Sequence, residues 1–150
     1  MKILLLNPPG TRNYLRDYYC TTISKSKYYY HPVDLLYLSG TLSLEHEVHV
    51  LEALKRQLSP QATITEITKI SPDVVISLVA APSFDEDFSF LAELKRHIPK
   101  LQIIGTGDVF REFGKKVFEL MPFLEATLVD FSTDDICNIC AAQRVSRSII

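Results

Sequence analysis

Ser77 and Ser83 flank the run Leu-Val-Ala-Ala-Pro within the stretch Asp73-Val-Val-Ile-Ser-Leu-Val-Ala-Ala-Pro-Ser-Phe-Asp-Glu-Asp87. Residues 74–76 are apolar and β-branched, as a central parallel strand requires. Ser83 followed three residues later by Glu86 has the spacing of a capping box, so a helix begins there. Ligands of open parallel sheets bind outside the carboxyl ends of the strands. The run between strand and helix occupies that edge. It offers two hydroxyls and small apolar side chains, and no acid, base or nucleophile pair. That is the chemistry of a cradle. Gly105-Thr-Gly107 is a second candidate, because glycine lets a bulky group approach the backbone or merely permits a turn. It lacks the third glycine of a dinucleotide fingerprint and does not follow the first strand.

Other reactive residues form no recognisable centre. Cys137-Asn-Ile-Cys140 has redox or metal spacing, but Cys20 is the only other thiol, and structural zinc takes four ligands. His31, His46, His49 and His97 show no metal-ligand spacing. His31 lies nearest the presumed ligand edge, whereas His46 and His49 read as surface residues. A phosphate-binding Gly-Lys-Ser/Thr is absent. A Mg²⁺-dependent phosphoacceptor site needs acids after the first strand and an aspartate ending the third. Asn7-Pro8-Pro9 and Ser77-Leu78 stand there instead.

The elements that must position these residues alternate. Strands are expected over residues 2–6, 47–51, 73–78, 101–104 and 126–129. Helices are expected over 33–44, 63–70 and 85–98. A further helix, capped by Asp108, turns Phe110, Phe113, Val117 and Leu120 inward. A last one, capped by Ser132, reaches about residue 142. Phe84, Phe88, Leu91, Leu94 and Ile98 form the apolar stripe of the third helix. Its first turn is acidic and its last turn basic, which suits the helix dipole. Five strands alternating with helices imply right-handed crossovers and a three-layer α/β sandwich. The expected fold is flavodoxin-like (Rossmann-like), a five-stranded parallel sheet of order 2-1-3-4-5. The connection over residues 7–32 is long for a βα loop and holds six of the seven tyrosines: Tyr14, Tyr18, Tyr19, Tyr28, Tyr29 and Tyr30. They either cover the sheet's open end or meet a ligand or partner. Residues 1–142 form one domain. Residues 143–150, with Arg144 and Arg147, read as a basic tail and a possible truncation point.

The chain has 150 residues, of which 47% are hydrophobic and 23% charged, with a net charge of −2. These are the proportions of a soluble globular domain. The charge argues against nucleic acid as the main partner, and no apolar run is long enough for a membrane span. Three cysteines suit a reducing, cytoplasmic setting.

The stretch from Ser77 to Glu86 resembles the cobalamin-binding domains of corrinoid enzymes. Ser77, Leu78 and Val79 take the places of that family's serine, variable residue and leucine, and Gly105-Thr106 takes the place of its glycine pair. Over residues 1 to about 140 the chain is similar to the amino-terminal cobalamin-binding domain of cobalamin-dependent radical S-adenosylmethionine enzymes. Lys2-Ile-Leu-Leu-Leu-Asn-Pro-Pro9, Arg16-Asp17, Cys20, Ser24-Lys25, His31-Pro-Val-Asp-Leu-Leu-Tyr-Leu-Ser39 and Glu47-Val-His-Val-Leu-Glu52 carry the likeness. The resemblance implies a module that holds cobalamin and performs no catalysis alone. Ser77 would bond the dimethylbenzimidazole tail, and Val79, Ala80, Pro82 and Ser83 would line it. Gly105, Thr106 and Gly107 would admit the nucleotide loop. Pro8, Pro9 and Gly10 would lie beneath the corrin, with Asp130 and Thr133 bordering its amides. Asn7-Pro-Pro-Gly-Thr-Arg12 replaces the family's Asp-x-His-x-x-Gly, so the form implied is base-off without a histidine ligand. The Cys-x-x-x-Cys-x-x-Cys cluster motif is absent, so no iron–sulfur cluster is expected in this chain. The partner implied is a radical S-adenosylmethionine module, in cis or in trans. The alternative is a cofactor-free domain that docks a partner through the tyrosine loop. A bound flavin or nucleotide is a third reading.

Overall fold

A computed structural model describes residues 1–26, 29–137 and 148–150. Its centre is set by strands apolar on both faces, which only a sheet covered on both sides can bury. In β1 (Lys2–Asn7), Leu4 and Leu6 enter one core while Ile3 and Leu5 enter the other. β4 (Glu47–Glu52), β5 (Val74–Leu78), β6 (Gln102–Thr106) and β7 (Ala126–Leu128) continue the sheet. They are separated from β1 in sequence by a hairpin, β2 (Tyr14–Asp17) and β3 (Cys20–Ile23). With β8 (Ser148–Ile149) at one edge, the sheet order is β4-β1-β5-β6-β7-β8, all parallel.

The first core lies under α2 (Pro60–Ile70) and α3 (Phe84–His97), with α4 (Asp108–Phe113) and α5 (Val117–Leu120) continuing it. The second core lies under α1 (Val33–Leu42), through Leu35, Leu38 and Leu42, and under Ile136. The result is an α/β fold compatible with a Rossmann-like architecture. No helix among the described residues is long and apolar enough to cross a membrane.

The expected five-stranded sheet is corrected to six strands. β8 (Ser148–Ile149) adds in parallel to β7, because the terminal apolar pair has an open edge to join. Within the expected tail, residues 143–147 lie outside the described residues, as does the last helix beyond Cys137. The tyrosine-rich connection is not a plain loop, since it contains the β2–β3 hairpin. α1 ends at Leu42, leaving Leu44 83% exposed. α2 begins three residues early, because Pro60 suits the first helical position and the Ser59 hydroxyl accepts from Ala62 N–H at 3.1 Å. β6 runs on through Gly105 and Thr106. The helix expected after Asp108 breaks at Gly114 (φ +50°) into α4, a 3₁₀ turn and α5. Leu120 consequently faces solvent, 47% exposed.

Candidate functional site

The strand order reverses between β1 and β5, and that crevice is where an open α/β sheet takes its ligand. Here the protein fills it with Arg16. β2 alternates, turning Tyr14 and Arg16 inward, and the Arg16 side chain is fully buried against Asp87. Its Nη2 donates to Asp87 Oδ1 at 2.8 Å and to the Pro9 carbonyl at 3.2 Å. Nη1 donates to Asn7 Oδ1 at 2.9 Å and to the Pro8 carbonyl at 3.0 Å. Nε reaches Ser83 Oγ at 3.1 Å and Asp87 Oδ2 at 3.2 Å. All five N–H groups of the guanidinium therefore have acceptors, which makes a buried charge tolerable. Burial pushes the Asp87 carboxyl above its ordinary pKa, against the pull of Arg16 and the hydrogen bonds from Ser83 and Ala80 N–H. The network continues outward from Asn7 Nδ2 to Glu52 (3.1 Å), from Glu52 to His31 (3.2 Å), and from His31 to Lys55 (3.2 Å).

Four acids fasten the hairpin and its neighbouring segments over this edge. Glu86 accepts from Thr11 N–H (2.8 Å), Thr11 Oγ1 (2.6 Å) and the Tyr14 hydroxyl (2.7 Å). Asp34 accepts from Tyr18 N–H at 2.7 Å, while Asp17 accepts from Val33 N–H at 3.0 Å. Asp108 accepts from Thr21 Oγ1 at 2.7 Å and from Ala81 N–H at 3.2 Å. The expected capping box does not form. Ser83 Oγ gives its hydrogen to Asp87 at 2.6 Å rather than capping α3, and Glu86 turns to the loop. Asp108 likewise caps nothing: Gly107 holds that position, with no side-chain cap.

The expected cradle residues fall into three groups. Ser77, Gly105 and Thr127 are register partners across β5, β6 and β7, which puts them on one face of the sheet. Ser77 and Thr127 are fully buried. A Cβ on Gly105 would collide with the Phe110 ring at Cζ, so the Phe110 ring is seated on the glycine. Among the described residues, Ser77 Oγ bonds only the neighbouring Leu78 carbonyl, at 3.2 Å. Thr127 Oγ1 is buried with no partner among the described residues. Gly107 (φ +139°) packs against the Val79 carbonyl, which a Cβ would overlap. Val79, Ala80 and Thr106 are buried beside this row. Pro8, Pro9, Pro82 and Ser83 belong to the second group, the loops joined by Arg16, and Gly10 adjoins them. Asp130 and Thr133 form the third, beyond β7, where Asp130 holds Ser132 through its N–H (2.9 Å) and hydroxyl (2.6 Å). Ser132 therefore does not cap the last helical turn. Thr133 Oγ1 accepts from Asp135 N–H at 3.2 Å instead.

Two open features flank the edge. A cleft of about 790 Å³ lies between the loop at Pro9–Asn13, the β4–α2 connection at Leu54–Pro60 and the first turns of α3. Of the expected site residues only Pro9 and Gly10 line it. On the α1 side, Tyr18, Tyr19 and Tyr37 meet Phe131 edge-on at centroid distances of 6.0–6.3 Å, and Tyr19 is 83% exposed. His31 is exposed within the outer part of the polar network, between Glu52 and Lys55. His46 is not a plain surface residue, since both its ring nitrogens are buried without a partner among the described residues. Cys140 lies outside the described residues. Among the described residues no group of three or more His, Cys, Asp or Glu could hold a metal ion.

Sequence reading missed Asp87, Thr127 and Phe110 as site residues, and took Arg16 only as part of a motif. Thr127 and Phe110 looked like core residues, and Asp87 like an ordinary first-turn helix acid. Comparison with models of known families, with curated proteins and with solved structures finds no match.

Proposed function

We propose that this chain is a flavodoxin-like corrinoid-holding module, whose carboxyl edge takes the nucleotide tail of cobalamin at the row Ser77–Gly105–Thr127. One observation carries the reading. An aromatic ring already sits on Gly105 between the Ser77 and Thr127 hydroxyls, and the Thr127 hydroxyl has no partner among the described residues. A flat benzimidazole fits that seat in kind: a ring-sized space over a glycine, with hydroxyls to meet its polar edge. It enters only when Phe110 leaves, so the edge as packed is the closed form. Cobalamin, when bound, supplies methyl-transfer or radical chemistry at its cobalt. The residues of this chain hold, orient and shield it. Residues 8–12 contain no histidine, in keeping with a base-off form free of histidine ligation. A radical S-adenosylmethionine module, in cis or in trans, would contribute the cluster that this sequence lacks.

The exposed aromatic cluster around Phe131 supports a second reading, a cofactor-free interaction domain that docks through the hairpin and α1. Titration with hydroxocobalamin, desalting and visible absorption separate the two. The corrinoid reading expects about one equivalent retained with a base-off spectrum. It also expects Thr127→Val, which keeps the shape and removes the hydroxyl, to weaken retention about fivefold without loss of fold. Folded wild-type protein that retains no corrinoid overturns the proposal and favours the docking domain.

A further inference from the structure

We infer that the β2–β3 hairpin and α4 form one latch, in which release of Thr21 from Asp108 frees α4 to lift Phe110 off Gly105. The inference rests on the reading of the Ser77–Gly105–Thr127 row as the ligand seat, and concerns how that seat is opened.

Three observations combine. The first is the plug: Phe110 is 1% exposed, with its ring on Gly105. The second is its mounting. α4 is only six residues long and lies between Gly107 at φ +139° and Gly114 at φ +50°. Both are conformations that other residues rarely adopt, so the short helix is set between two glycine pivots. A Cβ on Gly114 would meet nothing within 4 Å. That glycine therefore serves its backbone angle and not a close packing contact. The third is the catch. Asp108, the first residue of α4, takes Thr21 Oγ1 at 2.7 Å from β3 and Ala81 N–H at 3.2 Å from the loop after β5. The hairpin is thereby tied to the element that carries the plug.

The exchange that follows is ring for ring. A flat aromatic ligand entering over Gly105 replaces the Phe110 ring, so the seat is not left as an unfilled cavity, which cores resist. The Thr127 hydroxyl, without a partner among the described residues, gains one. Lifting the hairpin both uncovers the edge and removes the Thr21 bond to Asp108, so cover and plug move together. The closed state lowers apparent affinity in proportion to its population. Weakening the catch must therefore favour entry.

The test is Thr21→Val, which keeps the side-chain shape and removes the hydroxyl, with Thr22→Val on the same strand as control. In ligand-free protein, the amides of residues 79–81 and 108–113 should exchange with deuterium about fivefold faster in Thr21→Val. Those of α2 should not change, and Thr22→Val should match wild type. Stopped-flow association of hydroxocobalamin should quicken by about the same factor. Unchanged exchange in α4 overturns the latch, whatever the corrinoid does. Faster exchange with an unchanged association rate overturns its role in entry. Faster exchange in a protein that retains no corrinoid leaves the latch standing and removes the corrinoid reading instead.

Discussion

Arg16 binds together parts of the chain that are far apart in sequence: the loop after β1, the hairpin, and the first turn of α3. Its Asp87 partner lies 71 residues away. Methionine at this position would keep much of the side-chain length and lose every donor. Asp87 would then be left as a buried carboxylate without a cation, and Asn7, Pro8 and Pro9 would each lose an acceptor's partner. Removing one member of a buried pair costs about 3–5 kcal/mol. Arg16→Met is therefore expected to lower unfolding free energy by that amount, read from the urea midpoint at neutral pH. Arg16→Lys should cost less, since it keeps the charge but loses the planar fork. A loss below about 1 kcal/mol, the range of an exposed pair, would mean that water reaches Asp87. The sequence hid this role for a physical reason. An arginine in a polar, tyrosine-rich loop reads as solvated, and its burial follows from a hairpin that only the tertiary fold stabilises.

The hairpin and α1 hold one another reciprocally, Asp17 capping Val33 N–H while Asp34 accepts from Tyr18 N–H. Burial raises Asp34 from 3.8 to about 6, with Asp17 beside it adding to the rise and the hydrogen bond from Tyr18 opposing it. The folded state therefore holds the Asp34 proton more tightly than the unfolded chain does. Stability from this group is fully present below its ordinary pKa of 3.8 and is lost as pH rises through about 6. Asp34→Asn keeps an acceptor for Tyr18 N–H and cannot ionise. It should flatten the decline in urea midpoint between pH 4 and 7, and raise stability at pH 7 by about 1–3 kcal/mol. A variant whose pH profile parallels wild type would place the titration elsewhere, Asp87 and Asp17 being the other raised carboxyls. Elements carried by their own pattern were legible in sequence: the apolar strands, and α3 with its acidic start and basic end. The hairpin was not. Tyr14-Leu-Arg-Asp and Cys20-Thr-Thr-Ile are joined by Tyr18-Tyr19, without the Gly or Asn that marks a tight turn. The candidate cradle was legible as small residues on β5 and β6. Its present occupant was not, because Phe110 fits a core stripe equally well.

At the scale of the whole molecule the two faces of the sheet are covered differently among the described residues. There, α2, α3, α4 and α5 cover one face, whereas α1 and the segment around Ile136 meet the other. β8 closes the β7 edge on a narrow margin. Ile150 donates its N–H to the Thr127 carbonyl at 2.8 Å and accepts from Val129 N–H at 2.6 Å, and its side chain packs on the second core. A two-residue strand has too little pattern to be read from sequence, which is why residues 148–150 fall within the expected basic tail. Deleting residues 148–150 removes those bonds and uncovers the edge strand next to the Thr127 end of the proposed seat. An unpaired parallel edge is a template for another chain. The deletion is expected to cost about 1–3 kcal/mol, two backbone hydrogen bonds and part of an isoleucine side chain. It should also bring concentration-dependent association in sedimentation experiments. Val129 is only partly buried, and Val129→Lys, added to the deletion, should suppress the association without restoring the lost stability. A deletion that stays monomeric at unchanged midpoint would show that β7 protects its own edge, and that the sixth strand contributes nothing to the folded unit.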